Sequence, residues 1–122
     1  MLLILRNFIA LLVFFSVGAY ANQTETFIFE FGSSNIIVTS AANKQKTYNV
    51  IIKNRMLTPL KARLESLDMK TIISISVPEG KDRTYQFQWE EKKNYRLLPL
   101  SPPFEEIFLE VGRAVYEIPP KK

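Results

Sequence analysis

Phe27-Ile28-Phe29-Glu30-Phe31 sets a phenylalanine at every second position. Side chains of an extended strand alternate between its two sides, so the three rings line one face and Ile28 and Glu30 the other. The same period continues downstream. Gly32-Ser33-Ser34-Asn35 reads as a turn into Ile36–Thr39. Tyr48, Val50 and Ile52 alternate with Thr47, Asn49 and Lys53. Leu60, Ala62 and Leu64 face inward opposite Lys61, Arg63 and Glu65, and Ile73, Ile75 and Val77 lead to a Pro78-Glu79-Gly80 turn. Tyr85, Phe87 and Trp89 then share one face, Asn94–Leu98 forms a short strand closed by Pro99, and Ile107–Val111 and Ala114–Ile118 complete the series. No stretch beyond residue 21 holds the i, i+3, i+4 spacing of an amphipathic helix. Eight or nine short strands rich in β-branched and aromatic residues predict an all-β fold, an antiparallel β-sandwich over residues 26–118.

The first 21 residues have a different character. Met1–Arg6 carries one positive charge, Asn7–Val17 is nearly continuous apolar sequence, and Gly18-Ala19-Tyr20-Ala21 has the small-x-small pattern of a signal-peptidase site. The apolar run falls short of the roughly 20 residues a membrane-spanning helix needs. Cleavage after Ala21 is expected, leaving residues 22–122 as one small domain in the periplasm or outside the cell, with no stable membrane span. No cysteine stands at that site to take a lipid.

Composition narrows the function. Losing Arg6 with the leader lowers the net charge one unit below the +4 of the whole chain. The charges are interspersed, not gathered into the basic stripe of a phosphate-backbone binder, which argues against a nucleic-acid partner. The chain has no Cys, so the domain must hold without disulfides, and no His. Ser-His-Asp and Cys-His catalysis are therefore impossible, as is any zinc site of thiolates and imidazoles, and the expectation is a protein that is not an enzyme.

Two segments are not explained by sandwich building. In Leu64-Glu65-Ser66-Leu67-Asp68-Met69 the alternation fails after Glu65. Pro99-Leu100-Ser101-Pro102-Pro103-Phe104-Glu105-Glu106 reads as a stiff loop whose prolines deny it ladder hydrogen bonds. Phe104, exposed among prolines, offers an apolar anchor with Glu105 and Glu106 as a charged rim for a protein partner. The alternative is a structural crossover with Phe104 tucked under the sandwich. Glu65, on the outward side of its strand, is expected to be solvated, and Met69 to fill core space.

The order of these pieces resembles a known family. Ile36-Ile37-Val38-Thr39-Ser40-Ala41, Lys46–Asn54, Leu64–Met69, Val77-Pro78-Glu79-Gly80-Lys81, the Tyr85-Gln86-Phe87 strand and Lys93-Asn94-Tyr95 together resemble the cupredoxin-like domains of bacterial periplasmic proteins, of the type found with the EfeO iron-uptake component. The likeness spans roughly residues 36–111. It implies Greek-key connectivity, a role as accessory subunit of a periplasmic metal-uptake or electron-transfer system, and a partner such as a metal permease. It also implies a site at Glu65, with Asp68 and Met69 as neighbours, for a hard cation such as iron. Type-1 copper needs two His and a Cys and is ruled out by inventory. Arg63 stands where the family often has an acid, and Lys70-Thr71-Ile72-Ile73 where another tends to follow. The second function class is an envelope interaction protein, pilus-, adhesin- or secretion-associated, with no metal role.

Overall fold

The computed structural model describes residues 24–119. The leader with its cleavage site after Ala21 and the terminal Lys121-Lys122 lie outside the described residues. Among the described residues there is no helix.

The described residues form nine strands: β1 (Glu25–Phe31), β2 (Ile36–Thr39), β3 (Thr47–Asn54), β4 (Leu60–Ser66), β5 (Thr71–Val77), β6 (Asp82–Gln88), β7 (Tyr95–Ser101), β8 (Ile107–Phe108) and β9 (Tyr116–Ile118). They make two sheets, a five-stranded one in the order β6-β3-β1-β2-β9 and a four-stranded one in the order β5-β4-β7-β8. The all-β sandwich expected from the alternation is the observed architecture. One pairing departs from the antiparallel expectation: β1 and β3 run parallel, Glu25 opposite Tyr48 through Phe31 opposite Asn54. The chain can pair them this way because β2 intervenes as a hairpin strand, returning the chain to the start of β1 before β3 begins.

The inward sets meet between the sheets. Phe27, Phe29, Phe31, Tyr48, Val50 and Ile52 from one sheet pack against Leu60, Ala62, Leu64, Ile75, Val77 and Leu97 from the other, and all are buried. Tyr85 and Trp89 are partly buried against this core and Phe87 is inside it. Rings of Phe27, Tyr48, Phe87, Trp89 and Tyr95 interlock at one end, with Trp89 and Tyr95 edge-to-face at 4.8 Å. Their burial, at about 25 cal/mol per Å² of apolar surface removed from water, is the main stabilising term in a domain without disulfides.

The opposite end is closed by one amide. Asn54 ends β3 with no exposed surface. Its Nδ2 donates to the carbonyls of Thr58, Val77 and Pro78 at 3.0, 3.1 and 3.2 Å, and its Oδ1 accepts from the Met56 N–H at 2.9 Å. A single side chain thus ties the β3–β4 loop to the end of β5 through their main-chain groups.

Three boundaries move. The strand expected to stop at Pro99 runs through it to Ser101, because Pro99 lies beside a register shift between Lys61 and Ala62 of β4, where the ladder does not require its missing N–H. The strand expected over Ile107–Val111 has two residues, although the Leu109 N–H still donates to the Tyr95 carbonyl at 3.0 Å. The last strand begins at Tyr116, not Ala114. The stiff loop therefore starts at Pro102 and runs back alongside β7. Phe104 is not exposed: it is half-buried, its ring 5.6 Å from that of Phe31 in an edge-to-face contact. Phe104→Ala should accordingly lower stability by about 2 kcal/mol, below the 3–5 of a fully buried Phe. A denaturation midpoint equal to wild type would return the residue to the surface.

Candidate functional site

The outer face of the four-stranded sheet gathers most of the chemistry-bearing residues that the sequence singled out. Register decides this. Glu65 of β4 lies opposite Arg96 of β7, and Arg96 lies opposite Phe108 of β8. Their neighbours Leu64, Leu97 and Ile107 point into the core, so alternation turns Glu65, Arg96 and Phe108 outward together. Arg63 joins them from two residues earlier on β4, and Leu98 from two residues later on β7.

Glu65 does point away from the core, as its position in the strand requires, but it is not solvated: only 1% of the residue is exposed. Basic side chains cover it. Arg96 donates from Nε to Glu65 Oε1 at 2.8 Å, and its Nη2 lies 2.6 Å from the same oxygen as an ion pair. The Arg63 Nε sits 3.6 Å from Glu65 Oε2, adding positive charge without a hydrogen bond. Arg96 then extends outward, donating from Nη1 to Glu106 Oε2 at 2.7 Å and from Nη2 to the Met69 sulfur at 2.8 Å. The hydrogen bond to Glu65 raises the Arg96 pKa above its ordinary value, against desolvation, with the charges of Glu65 and Glu106 adding to it. A carboxylate buried this way is tolerable only because paired guanidinium donors replace its water.

The turn after β4 supplies the remaining residues. Met69 adopts a left-handed φ of 72°, and its N–H donates to the Ser66 carbonyl at 3.0 Å. That backbone swings the thioether outward, so Met69 is 70% exposed and does not fill the core. Asp68 accepts a hydrogen bond from the Ser66 hydroxyl. This bond is the chief reason its pKa lies below the ordinary value, with the Lys70 N–H and the Lys93 charge acting in the same direction. A depressed carboxylate pKa contributes stability that is in place above the ordinary value near pH 4 and is lost as pH falls through the lowered one. Ser66→Ala should therefore bring the Asp68 titration, followed by carboxyl NMR shifts, back toward its ordinary position. An unchanged midpoint would remove Ser66 as the cause.

Glu65, Met69 and Glu106 are thus brought together, through Arg96. Asp68 lies on the adjoining turn, bonded to Ser66. Phe104 and Glu105 are not part of the cluster: Phe104 packs on Phe31, and Glu105 is exposed next to it. Sequence reasoning missed Arg96 and Phe108. The signal was present, since Tyr95-Arg96-Leu97 alternates like the other strands, but placing Arg96 against Glu65 requires knowing that β7 pairs with β4.

Donor geometry does not fit a hard cation at Glu65. Both carboxylate oxygens face guanidinium groups, the Met69 sulfur accepts from the same Arg96, and Asp68 already accepts from Ser66. A cation entering here would have to displace Arg96 and sit beside two positive charges. Among the described residues no group of three or more Asp and Glu side chains converges as a metal cradle. What the face offers is apolar surface around an ion pair. Phe108 is 47% exposed, Leu100 45% and Met69 70%, with Glu106, Arg63 and Lys61 between and around them. No family model matches the chain, and no curated protein or solved structure matches it either.

Proposed function

We infer that the chain is a non-enzymatic, exported β-sandwich module that works by docking a protein of the cell envelope on the outer face of β4, β7 and β8. The observation that carries this reading is the exposed apolar set of Phe108, Leu100 and Met69 held around a buried Glu65–Arg96 pair. Apolar anchors within a charged surround are the usual anatomy of a protein interface, where a few such residues supply most of the affinity. The Glu65–Arg96 pair fixes the backbone beneath them, so little side-chain order remains to be lost on docking.

Cupredoxin-like connectivity is part of the same proposal. It is supported by strands that return across the sandwich, β6 beside β3 and β7 beside β4. The resemblance to periplasmic iron-uptake domains then names a metal-uptake or electron-transfer component, such as a permease, as the partner. The guanidinium-bound Glu65 favours a docking role without chelation, which the interaction-protein reading shares.

The test places a photo-crosslinking amino acid at position 108, and as control at position 51 on the outer face of the other sheet. In intact cells, one discrete adduct should form from 108, not from 51, and disappear in a Leu100→Glu variant of unchanged melting temperature. Equal crosslinking from both positions would refute the assignment of this face. Export is tested on the same sample, with a mature N-terminus expected at Asn22.

A further inference from the structure

Among the described residues, strand β5 is an edge of its sheet and pairs only with β4. Its sequence, Thr71-Ile72-Ile73-Ser74-Ile75-Ser76-Val77, has no charge, no proline and no glycine. Such an edge is a template for another strand, and proteins normally blunt it. The other edges here are blunted: β8 has two residues, β9 has three, and β6 begins Asp82-Arg83. β5 has a different defence. Arg83 Nη1 donates to the Ser76 carbonyl at 2.6 Å, and the Tyr85 hydroxyl lies 3.3 Å from the Ser76 nitrogen and 3.4 Å from its oxygen. Two side chains from the opposite sheet thus occupy the main-chain groups that Ser76 turns to the free edge. Ser74, two residues back, turns the same way.

We propose that β5 is a self-association edge for a second copy of this chain, held closed by Arg83 and Tyr85. The sequence is self-complementary about Ser74. An antiparallel two-fold there sets Ser74 against Ser74 of the second copy, Ile73 against its Ile75, and Ile72 against its Ser76. Ile73 and Ile75 then meet each other on the inward face and Val77 meets Thr71 on the same face, so the register keeps the two faces matched and neither copy moves its core set to solvent. Flanking charges agree: Lys70 at one end of β5 comes near Glu79 at the other end of the second copy's strand, and the converse pair forms by symmetry. Only a second copy brings that matched pattern, and full pairing requires Ser76 to be released.

The experiment compares purified wild-type protein with an Arg83→Ala/Tyr85→Phe variant by sedimentation velocity across a concentration series. Tyr85→Phe keeps the ring against the core, and circular dichroism checks the fold. Wild type should remain monomeric where the double variant dimerises, an association at least about tenfold tighter. Adding Ser74→Lys to the double variant places like charges on the two-fold and should restore the monomer. Mixing that triple variant with its Ser74→Glu counterpart should restore the dimer. A folded double variant that stays monomeric, a dimeric wild type, or a dimer indifferent to Ser74→Lys would each overturn the proposal.

Discussion

Replacing Asn54 with leucine will lower the domain's stability by about 4 kcal/mol or more, a large share of the roughly 5–15 available to a domain of this size. Leucine is close in volume, so packing is not the cause. The amide serves four main-chain groups, the Thr58, Val77 and Pro78 carbonyls and the Met56 N–H, at a position with no exposed surface. Each buried group left without a partner costs about 1–3 kcal/mol. Asn54→Asp should be worse near neutral pH, because a carboxylate would face three carbonyl oxygens. Its deficit should shrink as pH falls, since only the protonated carboxyl can donate. Urea unfolding followed by the fluorescence of Trp89, which sits in the aromatic cluster at the far end, measures both. A loss under about 1 kcal/mol for Asn54→Leu would mean that water substitutes for the amide, and would remove it as the tie between β3 and β5.

The second large effect is at Glu65. Glu65→Ala should cost about 3 kcal/mol, the lower end for breaking a buried pair, because it deprives Arg96 and Arg63 of their common anion. Glu65→Gln should cost less, since an amide oxygen still accepts from Arg96 but carries no charge. The informative variant is Glu65→Leu combined with Arg96→Leu. With both charges gone neither residue leaves the other as an uncompensated charge; Arg63 and Glu106 also lose a partner, but both are partly open to water, and stability should recover well above that of Glu65→Ala. A double variant as unstable as the sum of the singles would mean that the two residues act independently.

The fold was legible because the domain's main stabilising term is written at period two. Phe27, Phe29 and Phe31, then Tyr48, Val50 and Ile52, then Leu60, Ala62 and Leu64 all lie on the buried side that alternation assigned them. Less legible were features that depend on which strands become neighbours. The parallel β1–β3 pair is invisible locally, since a strand reads the same in either direction. Pro99 sits inside β7 because a register shift opposite relieves the ladder, a property of the pair and not of the residue.

At the site the same limit applies. Alternation placed Glu65 on the outward face correctly, yet its burial comes from Arg96, a residue 31 positions away in sequence that becomes adjacent only through β4–β7 pairing. Met69, an apolar residue standing where the resembling family has one, is expected in the core. A tight turn with a left-handed backbone overrode that preference and turned the thioether toward solvent. Phe104 went the other way, since the segment after Pro102 folds back along β7 and brings the ring onto Phe31.

Glu65 serves as the anion of Arg96, which leaves its carboxylate no free face for a cation. The most direct measurement is an NMR titration of the isotopically labelled protein with calcium, and with gallium(III) as a diamagnetic stand-in for iron(III). It would follow the Arg96 Nε–H, the Glu65 carboxyl carbon and the Met69 methyl. Because Arg96 occupies both the carboxylate and the thioether, these signals should stay in place through equimolar cation, with the Arg96 Nε–H remaining protected from exchange. Saturable shifts of all three at one equivalent, abolished by Glu65→Gln, would mean that the cation displaces Arg96 and would make Glu65 a metal ligand.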